Sequence, residues 1–131
     1  MGILVDTSVF VAIERGQLDG TTLAASAEPV AMAAISASEL LHGRHRLKSA
    51  VARTRAERFV EGILAAMPIV PFDLAIARVH ARLDAELSAA GSAIGDADLM
   101  IAATAVWLDY RVATRDLRSF PKVKGLEVLR W

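Results

Sequence analysis

The sequence predicts an α/β fold built around a mostly parallel sheet. Short apolar runs recur along the chain, and between them lie longer stretches whose apolar positions repeat at helical spacing. Strands alternating with helices in this way are the pattern of parallel sheets covered on both faces. The chain is also 54% hydrophobic but only 5% aromatic, so its core must be made of Ala, Val, Leu and Ile. Abundant alanine lets helices approach a sheet closely.

The elements follow in order. Ile3–Val5 reads as a short buried strand. Thr7 or Ser8 can cap the helix behind it, which carries Val9, Phe10 and Ile13. Gly16 and Gly20 loosen the chain before a short helix over residues 21–27. Pro29 opens a second strand over residues 30–34. Ser36 or Ser38 can cap the next helix, which contains Glu39, Leu40 and Leu41 and which Gly43 interrupts. Residues 49–66 have the spacing of a long helix, stopped by Pro68. Ile69 and Val70 form a very short strand, ended by Pro71. Asp73 caps a helix with a mixed stripe of Ala77, His80, Ala81, Asp84 and Leu87, and Gly91 ends it. Asp96 or Gly95 opens a helix running to about Leu108, with Trp107 expected in the core. Residues 112–114 and 127–129 are the last strands, joined through Pro121 and Gly125. No repeat, low-complexity tract or linker divides the chain, so residues 1–131 read as one domain.

Composition removes several classes of function. The absence of cysteine excludes disulfides, thiolate metal sites and a cysteine nucleophile, and fits a reducing compartment. There is no signal-like N-terminus and no apolar run near the roughly 20 residues of a membrane helix, so a cytoplasmic protein is expected. The formal net charge is zero, from 15 basic and 15 acidic residues. The average hides a pattern. Arg44, Arg46, Lys48, Arg53, Arg55 and Arg58 face one acid, Glu57, and Arg111, Arg115, Arg118, Lys122, Lys124 and Arg130 face two. A polyanion can be met at such segments despite a neutral total. The plainer reading is a solvated helix face and a solvated loop.

Four acids share one context. Asp6 ends the first strand, Glu39 stands in the opening turn of the helix after the second, Asp98 lies in the opening turn of DADLMIAATAVW, and Asp116 follows the strand of RVATRD. The carboxyl ends of parallel strands lie along one edge, where ligands bind. The four can therefore converge although they are distant in sequence. Singly, each has an ordinary explanation: Asp6 as a helix cap, Glu39 as a solvated residue, Asp98 as a helix-dipole partner, Asp116 as a turn former. Jointly they need a cation, because like charges repel, and their hard oxygens suit Mg²⁺ or Mn²⁺. Asp96 lies two residues from Asp98 and off its helix face. An N-cap role is preferred for it over a water-mediated contact to metal.

The segments LVDTSVF, ISASELLHG, IGDADLMIAATA and VATRDLRSFPKVKGLEVLRW together resemble the successive motifs of PIN domains, and among them the VapC-type toxin ribonucleases. The resemblance covers essentially the whole chain, in order. It implies a three-layer α/β/α fold with a four- or five-stranded sheet. It puts the family's acids on Asp6, Glu39, Asp98 and Asp116, as metal ligands and catalytic residues. The family's small hydroxyl residues fall on Thr7 or Ser8 and on Thr114, and one of these can hold a ligand by a hydrogen bond. It further implies a metal-dependent endoribonuclease, a homodimer and a cognate VapB-type antitoxin. In such an enzyme the ion acidifies water and shields the charge building on the phosphodiester. Arg53, Arg55, Arg58 and Arg115 are candidate contacts to RNA backbone, with a salt bridge or a surface position an equal reading for Arg115. A binding or assembly module on the same fold is the alternative.

Other motif readings fail. DTS approaches the DTG of aspartic proteases, which are β-rich and carry a paired motif. A haloacid-dehalogenase-like phosphatase needs an acid where Ser8 stands. A receiver domain needs paired acids before its first helix and a late lysine at a strand end. His42, His45 and His80 match no ligand spacing. The first two fit a basic helix surface, and His80 fits packing beside its helix neighbours.

Overall fold

The computed structural model describes residues 1–131. Period-two alternation decides its layers. In β1 (Ile3–Val5), Ile3 and Val5 join one apolar cluster and Leu4 joins the other. β2 (Val30–Ala33) repeats the pattern, with Met32 on one face and Ala31 and Ala33 on the opposite one. β4 (Arg111–Thr114) divides Val112 from Ala113 in the same way. Strands apolar on both faces need cover on both faces, and the helices supply it. One side is formed by α5 (Leu74–Ala89) and α6 (Asp96–Leu108), through Ile76, Leu83, Leu87, Leu99 and Ala102. The other is formed by α1 (Thr7–Glu14) and α4 (Ala50–Ala66), through Val9, Phe10 and Val60, with Leu40 of α3 (Ala34–Arg44).

With β3 (Ile69–Val70) and β5 (Val128–Arg130), the sheet has five strands in the order β3-β2-β1-β4-β5, and every neighbouring pair is parallel. The three-layer α/β/α expectation holds, with the larger of the two strand counts. The chain builds outward from β1 to β3, then crosses to β4 on the other side. The order therefore reverses between β1 and β4. Such a switch point leaves a crevice at the carboxyl ends of the strands. Asp6 lies at the end of β1 and residues 114–116 at the end of β4.

Two caps match their sequence signals. Ser49 Oγ accepts from the Ala52 N–H at 3.3 Å, and Asp73 Oδ1 accepts from the Ile76 N–H at 3.0 Å. Three do not. Asp6 is the N-cap of α1, so Thr7 and Ser8 are already helical and their hydroxyls are turned to other partners. α3 starts directly from β2 at Ala34, which puts Ser36 and Ser38 inside the helix and Glu39 in its second turn rather than its first. Glu39 thus gains less from the helix dipole than expected. Gly95, one of the two residues expected to open α6, is its N-cap, so the N-cap role preferred for Asp96 does not hold.

Gly43 lies within α3 and does not interrupt it. The helix at residues 21–27 is the shorter α2 (Thr21–Ala24). The buried stripe of α5 runs through Ile76, Leu83 and Leu87, which leaves Ala81 and Asp84 exposed. His80 packs edge-on against Phe72, with ring centroids 5.6 Å apart. Trp107 is 47% exposed, because α6 is enclosed only from Leu99 to Ala105 and its last turn emerges from the core. The turn after α6 brings Tyr110 over the start of β1. A Cβ on residue 2 would overlap the Tyr110 ring, so any larger residue there forces the ring to move. No helix is long and apolar enough to cross a membrane.

Candidate active site

Asp6 is the centre of the candidate site. It is 6% exposed, and its Oδ2 accepts from two hydroxyls: Ser8 Oγ at 2.6 Å and Thr114 Oγ1 at 2.8 Å. Each hydroxyl in turn accepts a backbone N–H from the segment after β4. Arg115 N–H donates to Ser8 Oγ at 3.0 Å, and Asp116 N–H donates to Thr114 Oγ1 at 2.9 Å. Two amides left over at the strand end are thus satisfied through two hydroxyls and one carboxylate oxygen. Asp6 Oδ1 accepts from no side chain, and the Ser8 N–H beside the carboxylate also helps to hold it charged. Burial pushes the Asp6 carboxyl above its ordinary range, the two hydroxyls pull it back, and the negative charge of Asp98 adds to the rise.

The remaining acids stand around it. Asp98 is half-buried in the first turn of α6 and close enough to act on Asp6 electrostatically. Glu39 is exposed on α3 and is tied to the residue beside Asp6 through Thr7, whose Oγ1 donates to Glu39 Oε1 at 2.8 Å. Asp116 is held in a fork by Arg118. Nε lies 2.9 Å from Oδ1 and 3.1 Å from Oδ2, Nη2 lies 2.6 Å from Oδ2, and the Arg118 N–H donates to Oδ1 at 3.0 Å. These bonds hold the Asp116 carboxyl below the usual range, and Arg118 also feels the charge of Asp98. No three acids are gathered into a finished ligand cage. Asp96 is exposed and makes no cap bond.

A groove of about 500 Å³ leads away from Thr7 and Glu39 between α1, α3 and α4. Its floor includes Val11, Leu40 and Val60, and its walls carry Arg15, His42, Arg44 and Arg46. Arg44 is spoken for by Glu57 at 3.9 Å and Glu61 at 3.8 Å. The basic segment is therefore divided. Arg55 and Arg58 lie together on the outer face of α4, beside Val51 and Thr54, outside this groove. Arg53 is exposed but lines neither hollow. Arg115 Nη1 donates to the Trp131 carbonyl at 2.9 Å, so this guanidinium is engaged within the chain.

The sequence singled out no individual site role for three further residues, although Arg118 belongs to a basic segment read as able to meet a polyanion. Arg15 closes α1 and reaches the groove. Ser36 is fully buried in the first turn of α3, and its hydroxyl has no partner. Arg118 grips Asp116. Only the last had a readable signal. In DLR, a residue two beyond an aspartate sits where its N–H meets that side chain in a turn.

A five-stranded parallel sheet in this order, with a buried aspartate at the switch point and further acids beside it, defines an open α/β class with an acidic crevice at its strand ends. Residues 3–126 match the PIN domain family, and the chain belongs to it. Ribonuclease VapC of Rickettsia bellii is 33% identical over 129 residues, covering 98% of this chain and 96% of that protein. A VapBC-5 structure, from a toxin–antitoxin system of Mycobacterium tuberculosis, is 32% identical with a TM-score of 0.79, covering 99% of this chain and 98% of the other. The VapBC2 structure of Rickettsia felis, bound to a promoter DNA fragment, superposes with a TM-score of 0.88 at 22% identity, covering 100% and 99% of the two chains. This last likeness concerns the fold.

Proposed function

We propose that the chain is an endoribonuclease dependent on Mg²⁺ or Mn²⁺, and the toxin of a toxin–antitoxin pair. One observation carries the reading: the buried Asp6 carboxylate, with Oδ2 fixed by Ser8 and Thr114 and Oδ1 bound by no side chain. The donors around it fit a divalent ion. They are all oxygen, and a guanidinium already lies against Asp116 as a cation would. Asp6, Asp98 and Asp116 would hold the ion, with Glu39 as the fourth carboxylate. Such an ion supplies Lewis acidity toward water and the phosphodiester.

The protein's own side chains do the positioning. Ser8 and Thr114 fix the Asp6 carboxylate, and Thr7 fixes Glu39. Arg15, His42 and Arg46 line a path along which an RNA backbone can approach the acids. Hydrolysis of this kind leaves a 5′-phosphate and a 3′-hydroxyl. The likeness to VapC and VapBC proteins supports a VapB-type antitoxin as partner. An antitoxin segment lying on the apolar floor of the groove would reach Glu39 at its end. The test is cleavage of total RNA with Mg²⁺, with Mn²⁺ and with a chelator, followed by mapping of the cut ends. Asp98→Asn is expected to abolish cleavage and Asp96→Asn to retain it. Equal cleavage in chelator would overturn the metal dependence.

A further inference from the structure

The Asp116–Arg118 pair is unusual for its place. A carboxylate offered to a divalent ion already has both oxygens in a guanidinium fork. The fork is not locked in. The Arg118 side chain is 88% exposed and that of Asp116 34%, so nothing packs the guanidinium in place. Its anchor, by contrast, is firm. The Asp116 N–H is bound by buried Thr114, and the Arg118 N–H is bound by Asp116 itself, which fixes the turn beside the site. Arg118 Nη1 has no protein acceptor, so part of the fork is open to a second anion. The side chain is thus exposed, permanently charged and tethered within reach of the acids.

Resting on the metal-dependent ribonuclease reading, we propose that Arg118 exchanges partners. It holds Asp116 in the metal-free protein, yields that carboxylate when a divalent ion enters, and then binds an RNA phosphate at the site. The logic is one of charge. A guanidinium and a divalent ion repel each other and compete for one carboxylate. Once displaced, the guanidinium needs another anion, and a phosphate matches its fork in geometry as well as charge. An exposed ion pair is weak enough for such an exchange.

The test uses the purified protein, Arg118→Gln and Arg118→Lys, with circular dichroism to confirm folding. Mn²⁺ affinity is measured by calorimetry without RNA. Affinity for a 2′-O-methyl RNA, verified on gels to stay intact through each titration, is measured across a salt series, with and without Mn²⁺. Arg118→Gln removes the competitor, so Mn²⁺ binding is expected to tighten about two- to five-fold. In the presence of Mn²⁺ the same variant is expected to lower the log–log salt slope by about 0.7, the value of one phosphate on a single strand. Without Mn²⁺ the slope is expected to stay unchanged, because Arg118 is then held by Asp116. Arg118→Lys retains a charge and is expected to keep the slope. Unchanged Mn²⁺ affinity in Arg118→Gln, or a drop in slope independent of Mn²⁺, would overturn the exchange. Wild-type protein that neither binds Mn²⁺ nor cleaves RNA would instead overturn the reading beneath it.

Discussion

Replacing Thr114 with Val removes one oxygen from a site in which that oxygen has two duties. Thr114 is fully buried, its Oγ1 donates to Asp6 Oδ2 at 2.8 Å, and it accepts the Asp116 N–H at 2.9 Å. Val keeps the shape, so packing is preserved and only hydrogen bonds are lost. A bond to a charged group contributes about 1.5–3 kcal/mol, and an N–H stranded away from water costs about 1–3 kcal/mol. Asp116 is only half-buried, and water can recover part of the second loss. A net cost of about 2–4 kcal/mol is expected. At about 2.1 cal/mol/K per residue, 131 residues unfold with roughly 0.28 kcal/mol/K, so Tm falls by about 7–14 °C. The deficit also depends on pH. Asp6 titrates above its ordinary range in the folded protein, and losing a donor raises it further. An acid raised on folding binds protons more tightly in the native state, so stability falls as pH rises through the window between its unfolded and folded values. Widening that window makes the deficit of Thr114→Val larger at about pH 7 than at about pH 4. Thr114→Ser keeps the oxygen and is expected to cost about 0.8 kcal/mol, one methyl group. Melts of the metal-free protein at both pH values decide. A shift under about 2 °C at neutral pH, or equal losses in the Val and Ser variants, would refute the role given to the hydroxyl.

Other outcomes follow from the same geometry. Asp6→Asn keeps an acceptor for both hydroxyls and removes a buried charge, so its metal-free Tm is expected to exceed wild type at about pH 7, the gap closing toward about pH 4, while RNA cleavage is lost. Joint replacement of Arg55 and Arg58 by Gln is expected to lower the salt slope of RNA binding by about 0.7 for each phosphate no longer neutralised, with Arg53→Gln as the control on a different face of α4. Gly2→Ala drives a Cβ into the Tyr110 ring and is expected to cost about 1–3 kcal/mol in denaturant melts. Light scattering over a concentration series is expected to show a dimer, and titration with a verified cognate antitoxin to stop cleavage. Uninhibited cleavage in the stoichiometric complex would remove that partner's inhibitory role.

The layers were legible because one physical rule governs them. A strand covered on both faces shows as a short apolar run, and Ile3–Val5, Val30–Ala33 and Arg111–Thr114 all carry one. Long helices with a polar cap also announce themselves, as at Ser49 and Asp73. Caps failed where a helix starts without a loop. α1 follows β1 after the single residue Asp6, and α3 follows β2 with none, so no spare residue stands before the first turn to act as a hydroxyl cap. The same abrupt starts moved Glu39 one turn deeper than its neighbouring serines suggested.

The site shows a different limit. Its candidate acids could be placed near one edge because parallel strands deliver their ends there, whatever the intervening sequence. Which partner each acid takes could not, because that depends on pairings spanning 106 to 108 residues, as between Ser8, Thr114 and Asp6. A candidate hydroxyl can be named from its distance along the chain to one acid. Its alternative duty, satisfying an amide at the end of another strand, exists only once β1 and β4 are paired. The basic residues are the converse case. Their density in residues 44–58 is plain in the sequence, but charge density carries no direction. Folding turns Arg46 toward the groove and Arg55 and Arg58 to the outer face of α4, and ties Arg44 to Glu57 and Glu61. A count of cations therefore overstates what any one anion can meet. The cation held directly against one of the acids is Arg118, whose position was set by a two-residue turn rather than by a cluster.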